Sequence, residues 1–225
     1  MENAMELGRV TFDDKMAVRK AIQEAGIPFT YVSANCFAGY FVGGLCQPGG
    51  ILPSRDHVVL FGDGNQKCIF VDEDDIAMYT IKTIDDPRTL NKTLYLRPPQ
   101  NILPQREVVE IWEKLIGKQL QKSSIFKEEF LTNMKSKYYL FFVCIYTIFL
   151  TQNILPDSLI PLLIVFHPIQ TAQNYAVQVG STHCYHVFYD GCHANFEIGD
   201  GAEEASQLYP EIKYTTVHEY MKRYL

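Results

Sequence analysis

Lys15 and Arg19 stand four residues apart in a K-x-x-x-R pattern, a spacing that puts both on one face of a helix. A lysine in such a pair can exchange a proton with a bound phenol when burial or a neighbouring cation lowers its pKa from about 10.4 toward neutrality. The same spacing also describes a plain solvated helix face, and from these residues alone both readings stand. Cys184, His186 and Cys192 offer soft donor atoms, but they lack the paired close spacing of a zinc site, so no metal is expected. The run Asp72, Glu73, Asp74 and Asp75 reads as the acidic start of a helix rather than as a metal site. Gly43-Gly44, Gly49-Gly50 and Gly62-x-Gly64 fall in loops and turns, and none opens a helix directly after a strand, so none reads as a phosphate cradle.

The elements that would carry these residues follow an α/β grammar. Thr11, with Asp14 three residues on, has the pattern of an N-cap, and Phe12, Met16 and Ile22 recur at helical spacing until Gly26 stops the run. Residues 27–34 are rich in β-branched and aromatic side chains and predict a strand. Asn35 and Phe37 follow directly on its end, the place where open α/β sheets receive ligands. After a loop rich in glycine and proline, residues 57–61 and 67–71 predict two strands, and the turn Gly62-Asp63-Gly64-Asn65 between them predicts a hairpin. A helix capped by residues 72–75 then runs through Ile81, a strand covers 92–96, and an amphipathic helix over 104–116 carries Trp112 and ends at Gly117.

With 225 residues, 47% of them hydrophobic, the chain can bury a sizeable core. A net charge of -6 leaves no basic footprint for nucleic acid. The 6 scattered cysteines form no C-x-x-C pair and suit a reducing cytosol, and the first residues resemble neither a secretory signal nor a transit peptide. Residues 138–150 form an uncharged apolar run that is short of the roughly 20 residues a spanning helix needs. Membrane anchoring through this run stays open beside burial, and Pro156, Pro161 and Pro168 forbid one continuous regular helix beyond it.

Three long runs carry a resemblance: FDDKMAVRKAIQEAGIPFTYVSANCFAGYF, LPSRDHVVLFGDGNQKCIFVDEDDIAMYTIKTIDDPRTLNKTLYLRPPQNIL and NFEIGDGAEEASQLYPEIKYTTVHEYMKRYL. They resemble the plant isoflavone reductase-like group and, within it, the pinoresinol-lariciresinol reductase family, which are atypical short-chain dehydrogenases with NmrA-like folds. The resemblance implies an α/β fold made of the C-terminal part of a Rossmann-type NAD(P)-binding domain plus its substrate-binding subdomain. It also implies that residues 1–135 and 173–225 belong to the reductase, that the N-terminal dinucleotide-binding half with its G-x-x-G-x-x-G turn is missing, and that residues 136–172 are an insertion of the composition a retained intron gives.

The resemblance further implies NADPH as cofactor, a phenolic substrate such as a lignan, hydride transfer to a benzylic carbon with ether opening, a cytoplasmic location and a capacity to form homodimers. By the same resemblance Lys15 is the proton-transfer group on the substrate phenol, Arg19, Asn35 and Phe37 contact the cofactor, and His183 faces the substrate, whereas His186 is structural. Without the glycine-rich turn the fragment is expected to be inactive. A non-enzymatic interaction module and a fragment anchored through residues 138–150 are the alternatives.

Overall fold

The computed structural model describes residues 5–135 and 170–225. The apolar run at 138–150 and nearly all of the expected insertion therefore lie outside the described residues, and among those described no helix is long and apolar enough to cross a membrane.

In chain order the elements are α1 (Glu6–Glu24), β1 (Thr30–Ser33), β2 (Cys36–Phe37), α2 (Ala38–Phe41), β3 (His57–Phe61), β4 (Lys67–Val71), α3 (Glu73–Thr83), β5 (Lys92–Tyr95), β6 (Ile102–Pro104), α4 (Gln105–Ile116), β7 (Gln121–Ile125), α5 (Lys127–Lys135), α6 (Gln170–Phe188), β8 (Ala202–Glu204), α7 (Ala205–Leu208) and α8 (Val217–Met221). Among the described residues these strands form three small sheets. One has the order β1-β5-β8 and is wholly parallel, the second has the order β2-β4-β6, and the third pairs β3 with β7 in parallel. Parallel pairs joined through helices confirm the α/β class.

The expected hairpin is a correction. Its turn is present, with Gly64 N–H donating to the Phe61 carbonyl at 2.9 Å and Asp63 accepting from Asn65 N–H at 2.9 Å. The two strands nevertheless separate: β3 pairs with β7, while β4 runs parallel to β2 and antiparallel to β6. Burial decides this. Val58, Leu60 and Phe61 on one strand and Cys68, Ile69, Phe70 and Val71 on the other are all buried, and each set finds its neighbours in strands that arrive from elsewhere in the chain.

Two apolar clusters form the core. The larger gathers Val58, Leu60, Phe61, Phe70, Val108, Val109, Trp112, Phe130, Tyr185 and Phe188, and it is where α4, α5 and α6 meet β3. The smaller joins Ile69, Val71, Tyr79, Leu94, Leu96 and Tyr209. Helix α4 shows how the sequence specifies its own place: Val108, Val109 and Trp112 recur on one face with no exposure, and Gly117 ends the helix at φ 66 in the left-handed conformation that glycine adopts without strain.

Helix α1 begins earlier than the sequence pattern indicates. Thr11 is not its N-cap, because the first turn starts at Glu6. Gly26 at φ 63 does end it, with its N–H on the Gln23 carbonyl and that of Ile27 on Ile22. The shift has a tertiary cause: the Thr11 side chain that resembled a cap faces His183 of α6 instead, at 3.0 Å.

Candidate active site

The site is built from α1, the ends of β1 and β2, and the C-terminal half of α6. Lys15 lies on α1 and is exposed. Arg19, four residues on, is half-buried with its guanidinium 4.6 Å from the centre of the Tyr31 ring, and the Tyr31 hydroxyl donates to the Arg19 carbonyl at 3.1 Å. That pair fastens the second half of α1 to β1.

His183 meets α1 one turn before Lys15. Besides its contact with Thr11, its ring packs against Phe12 with centroids 5.2 Å apart. Positions 11 and 15 share a helix face, so the expected substrate-facing histidine and the expected proton-transfer lysine occupy the same side of α1.

Asn35 sits at φ 58, a left-handed conformation that asparagine tolerates better than most residues, and its side-chain amide donates to the Leu96 carbonyl at 2.6 Å. This bond ties the end of β1 to the end of β5, so the amide is engaged by the fold. Phe37 lies in β2, pairs with Val71 of β4 and is 45% exposed, leaving an aromatic face free at the strand end.

One residue was missed by sequence reasoning. His193, in the loop after α6, lies 3.3 Å through Nδ1 from the Cys36 thiol, between Asn35 and Phe37. Burial, with His183 close enough to add to it, pushes the His193 imidazole down to about 4, so it is neutral at pH 7. Burial also raises the Cys36 thiol well above its usual value, with the neighbouring thiols adding to the effect. His193 thus bonds to the strand-end segment that carries Asn35 and Phe37, from the loop that follows the helix bearing His183. No local motif announces it, because its partner lies 157 residues away.

His186 is engaged by the fold. It is buried, accepts the Met5 N–H at Nε2 (3.1 Å), and bonds Asp190 through Nδ1 (2.9 Å). The acidic run 72–75 caps α3: Asp72 accepts from Asp74 N–H and pairs with Arg223 at 2.6 Å, while Asp75 is buried and accepts from Thr215 N–H at 2.8 Å. Among the described residues no group of three His, Cys, Asp or Glu is placed to hold a metal ion.

Whether these residues could hold a dinucleotide is answered unevenly. Phe37 offers an exposed ring and Arg19 a half-buried cation, but the strand-to-helix turns among the described residues carry carboxylates or engaged backbone: at β2–α2 the Gly39 N–H is taken by Glu73 Oε1 at 2.9 Å, and at β8–α7 Glu204 accepts the Ser206 and Gln207 N–H groups. After β4 the helix α3 opens with Asp72, Glu73, Asp74 and Asp75, and after β7 the helix α5 opens with Glu128 and Glu129. Carboxylates at a helix N-terminus repel the phosphates that such ends otherwise attract. Helix α4 starts behind Pro104 with Gln105 turned inward onto the Phe61 N–H at 2.9 Å.

The model of the NmrA-like family matches residues 1–221. The chain is 62% identical over 225 residues to the bifunctional pinoresinol-lariciresinol reductase 2 of Linum usitatissimum, covering 100% of this chain and 57% of that protein. It is 58% identical to the bifunctional pinoresinol-lariciresinol reductase of Linum album, covering all of this chain and 58% of that one. Among solved structures, AtPrR2 with NADP+ and (+)pinoresinol superposes with a TM-score of 0.80 at 42% identity, over 100% of this chain and 60% of that one. A structure of pinoresinol-lariciresinol and phenylcoumaran benzylic ether reductases gives a TM-score of 0.81 at 45% identity, over 100% and 61%. The chain thus spans somewhat under two thirds of the length of these relatives, and by the breadth of the match it belongs to the NmrA-like family.

Proposed function

We propose that this chain is the substrate-side part of an NADPH-dependent reductase of the pinoresinol-lariciresinol type. In this reading residues 1–135 and 173–225 are the reductase portion and residues 136–172 are inserted. The observations that support it most are the 3.0 Å contact of His183 with Thr11, one turn from Lys15 on α1, and the 3.3 Å contact of His193 with Cys36, the residue between Asn35 and Phe37. The relatives named above and the solved complex with NADP+ and (+)pinoresinol supply the substrate and cofactor classes.

The roles are those the resemblance assigns. Lys15 Nζ exchanges a proton with the phenol of a lignan, His183 orients that substrate from α6, and Arg19, Asn35 and Phe37 border the nicotinamide. NADPH, when bound, supplies the hydride. The acidic helix starts leave its pyrophosphate without a holder among the described residues, so reduction by the chain alone is not proposed. The five described cysteines are free thiols, which suits a reducing cytoplasm.

A second reading, a module that docks another polypeptide, draws on β1. This parallel strand is the last in its sheet, with β5 on one side and no strand on the other among the described residues. Parallel strands are ordinarily covered on both sides, so this edge suits the dinucleotide-binding part of a full-length relative. A homodimer is a further candidate assembly.

One experiment tests both readings. The purified chain is incubated with NADPH and pinoresinol, alone and with the separately produced dinucleotide-binding half of the Linum usitatissimum relative, and lariciresinol is measured. Turnover only in the mixture supports the reductase reading. A stable complex without turnover supports docking alone, and neither complex nor turnover removes both.

A further inference from the structure

Helix α1 carries Lys15 yet is thinly held. It packs chiefly on α6, and Val10, Met16 and Val18 on its outer side are exposed. Its attachments recur along its length: Met5 on His186, Thr11 and Phe12 on His183, and Arg19 on Tyr31. Two of these three anchors are histidines of α6 placed one turn apart, and Lys15 lies between the second anchor and the third.

The first anchor has a defined protonation pattern. A backbone N–H can only donate, so Nε2 of His186, which takes the Met5 N–H at 3.1 Å, must present its lone pair. The ring proton is then on Nδ1, facing Asp190 Oδ2 at 2.9 Å. Asp190 is itself paired with Lys127 at 3.4 Å, and Tyr185 stands edge-on to the His186 ring at 5.4 Å. Carboxylate, imidazole and helix N-terminus therefore form a directed series, with the carboxylate setting the tautomer and the tautomer capturing the end of a helix whose Met5 cap position has no side-chain cap of its own.

We infer that His186, oriented by Asp190, is a positioning residue for α1: by capturing the Met5 N–H it sets the placement of the helix face on which Lys15 meets the substrate. The capture itself does not depend on the reductase reading; its consequence for turnover rests on that reading.

The test uses the full chain. Long-range nitrogen-proton NMR of the imidazoles between pH 7 and 8 should show His186 protonated on Nδ1, and a proton on Nε2 would overturn the inference. Hydrogen exchange then reads the capture. In His186→Phe the amides of residues 9–13 should exchange about tenfold faster while those of α4 stay protected. In His186→Gln, whose side-chain oxygen can take the same N–H, protection should largely return. Unchanged exchange in His186→Phe contradicts the inference, and if that variant does not fold, the tautomer in the native chain decides. With the dinucleotide-binding half supplied, His186→Phe should lower kcat with KM little changed, and His186→Gln should recover most of the loss. If the native chain gives no turnover in that mixture but residues 9–13 still respond to His186→Phe, the reductase reading fails and the positioning role stands.

Discussion

Helices α4 and α1 are both amphipathic and both lie beside the sheets, yet they are held in opposite ways. Val108, Val109 and Trp112 of α4 have no exposure, the Trp112 indole N–H donates to the Ser54 carbonyl at 2.8 Å, and Glu113 is buried against Lys122 and the Leu120 N–H. Helix α1 leaves Met16 57% and Val18 60% exposed and relies on a few polar and aromatic contacts. Dense packing makes the position of α4 nearly independent of any single contact. The position of α1 depends on each anchor. The candidate chemistry sits on the second kind of helix, which Arg19 fastens to β1, the last strand of its sheet among the described residues.

The sharpest way to break this contrast is to truncate the packed side. Trp112→Ala should destabilise the chain by about 3–5 kcal/mol, through lost burial and a cavity that cannot collapse, as read by urea denaturation. A cost below about 1 kcal/mol would mean that α4 is held no more firmly than α1. On the other side, Lys15→Ala should leave stability within about 0.5 kcal/mol, since the side chain is exposed. In the complemented reductase the same change should lower kcat roughly a hundredfold or more. A normal rate would remove Lys15 from the chemistry.

The third prediction concerns acid. In the folded chain His193 is pushed below its ordinary 6.5 to about 4, so the unfolded chain binds more protons between these values. Stability from this group is complete above about pH 6.5 and is lost as pH falls toward 4. Denaturation midpoints across that window should drop in the native chain and drop less in His193→Leu, and parallel curves would show that His193 is freely hydrated. The smallest effect is expected for Arg19→Ala, which removes one partly exposed cation from Tyr31 and should cost under about 1 kcal/mol. Faster hydrogen exchange confined to the C-terminal half of α1 would confirm the third anchor.

These contrasts also explain what was legible in the sequence. Helix α4 could be read almost to the residue, because its apolar period, its glycine stop and its packing agree. The cap of α3 was equally plain, since Asp72 and the acidic turn act locally. The hairpin failed because Gly62 to Asn65 specify a turn but not which strands become neighbours. The start of α1 failed because Thr11 is satisfied by His183, 172 residues away, rather than by its own helix. The site residues came from a resemblance of long runs, not from spacing. His193 escaped both routes, since only the fold brings it to Cys36.

The proposed function divides a substrate side, present in this chain, from a pyrophosphate holder that the described residues do not supply. Calorimetric titration of NADPH into the purified 225-residue chain tests that division most directly. We expect no saturable heat from the chain alone, and saturable binding once the dinucleotide-binding half of the relative is added. Saturable binding by the chain alone would contradict this division, because it would require a pyrophosphate site beside helix starts that carry carboxylates.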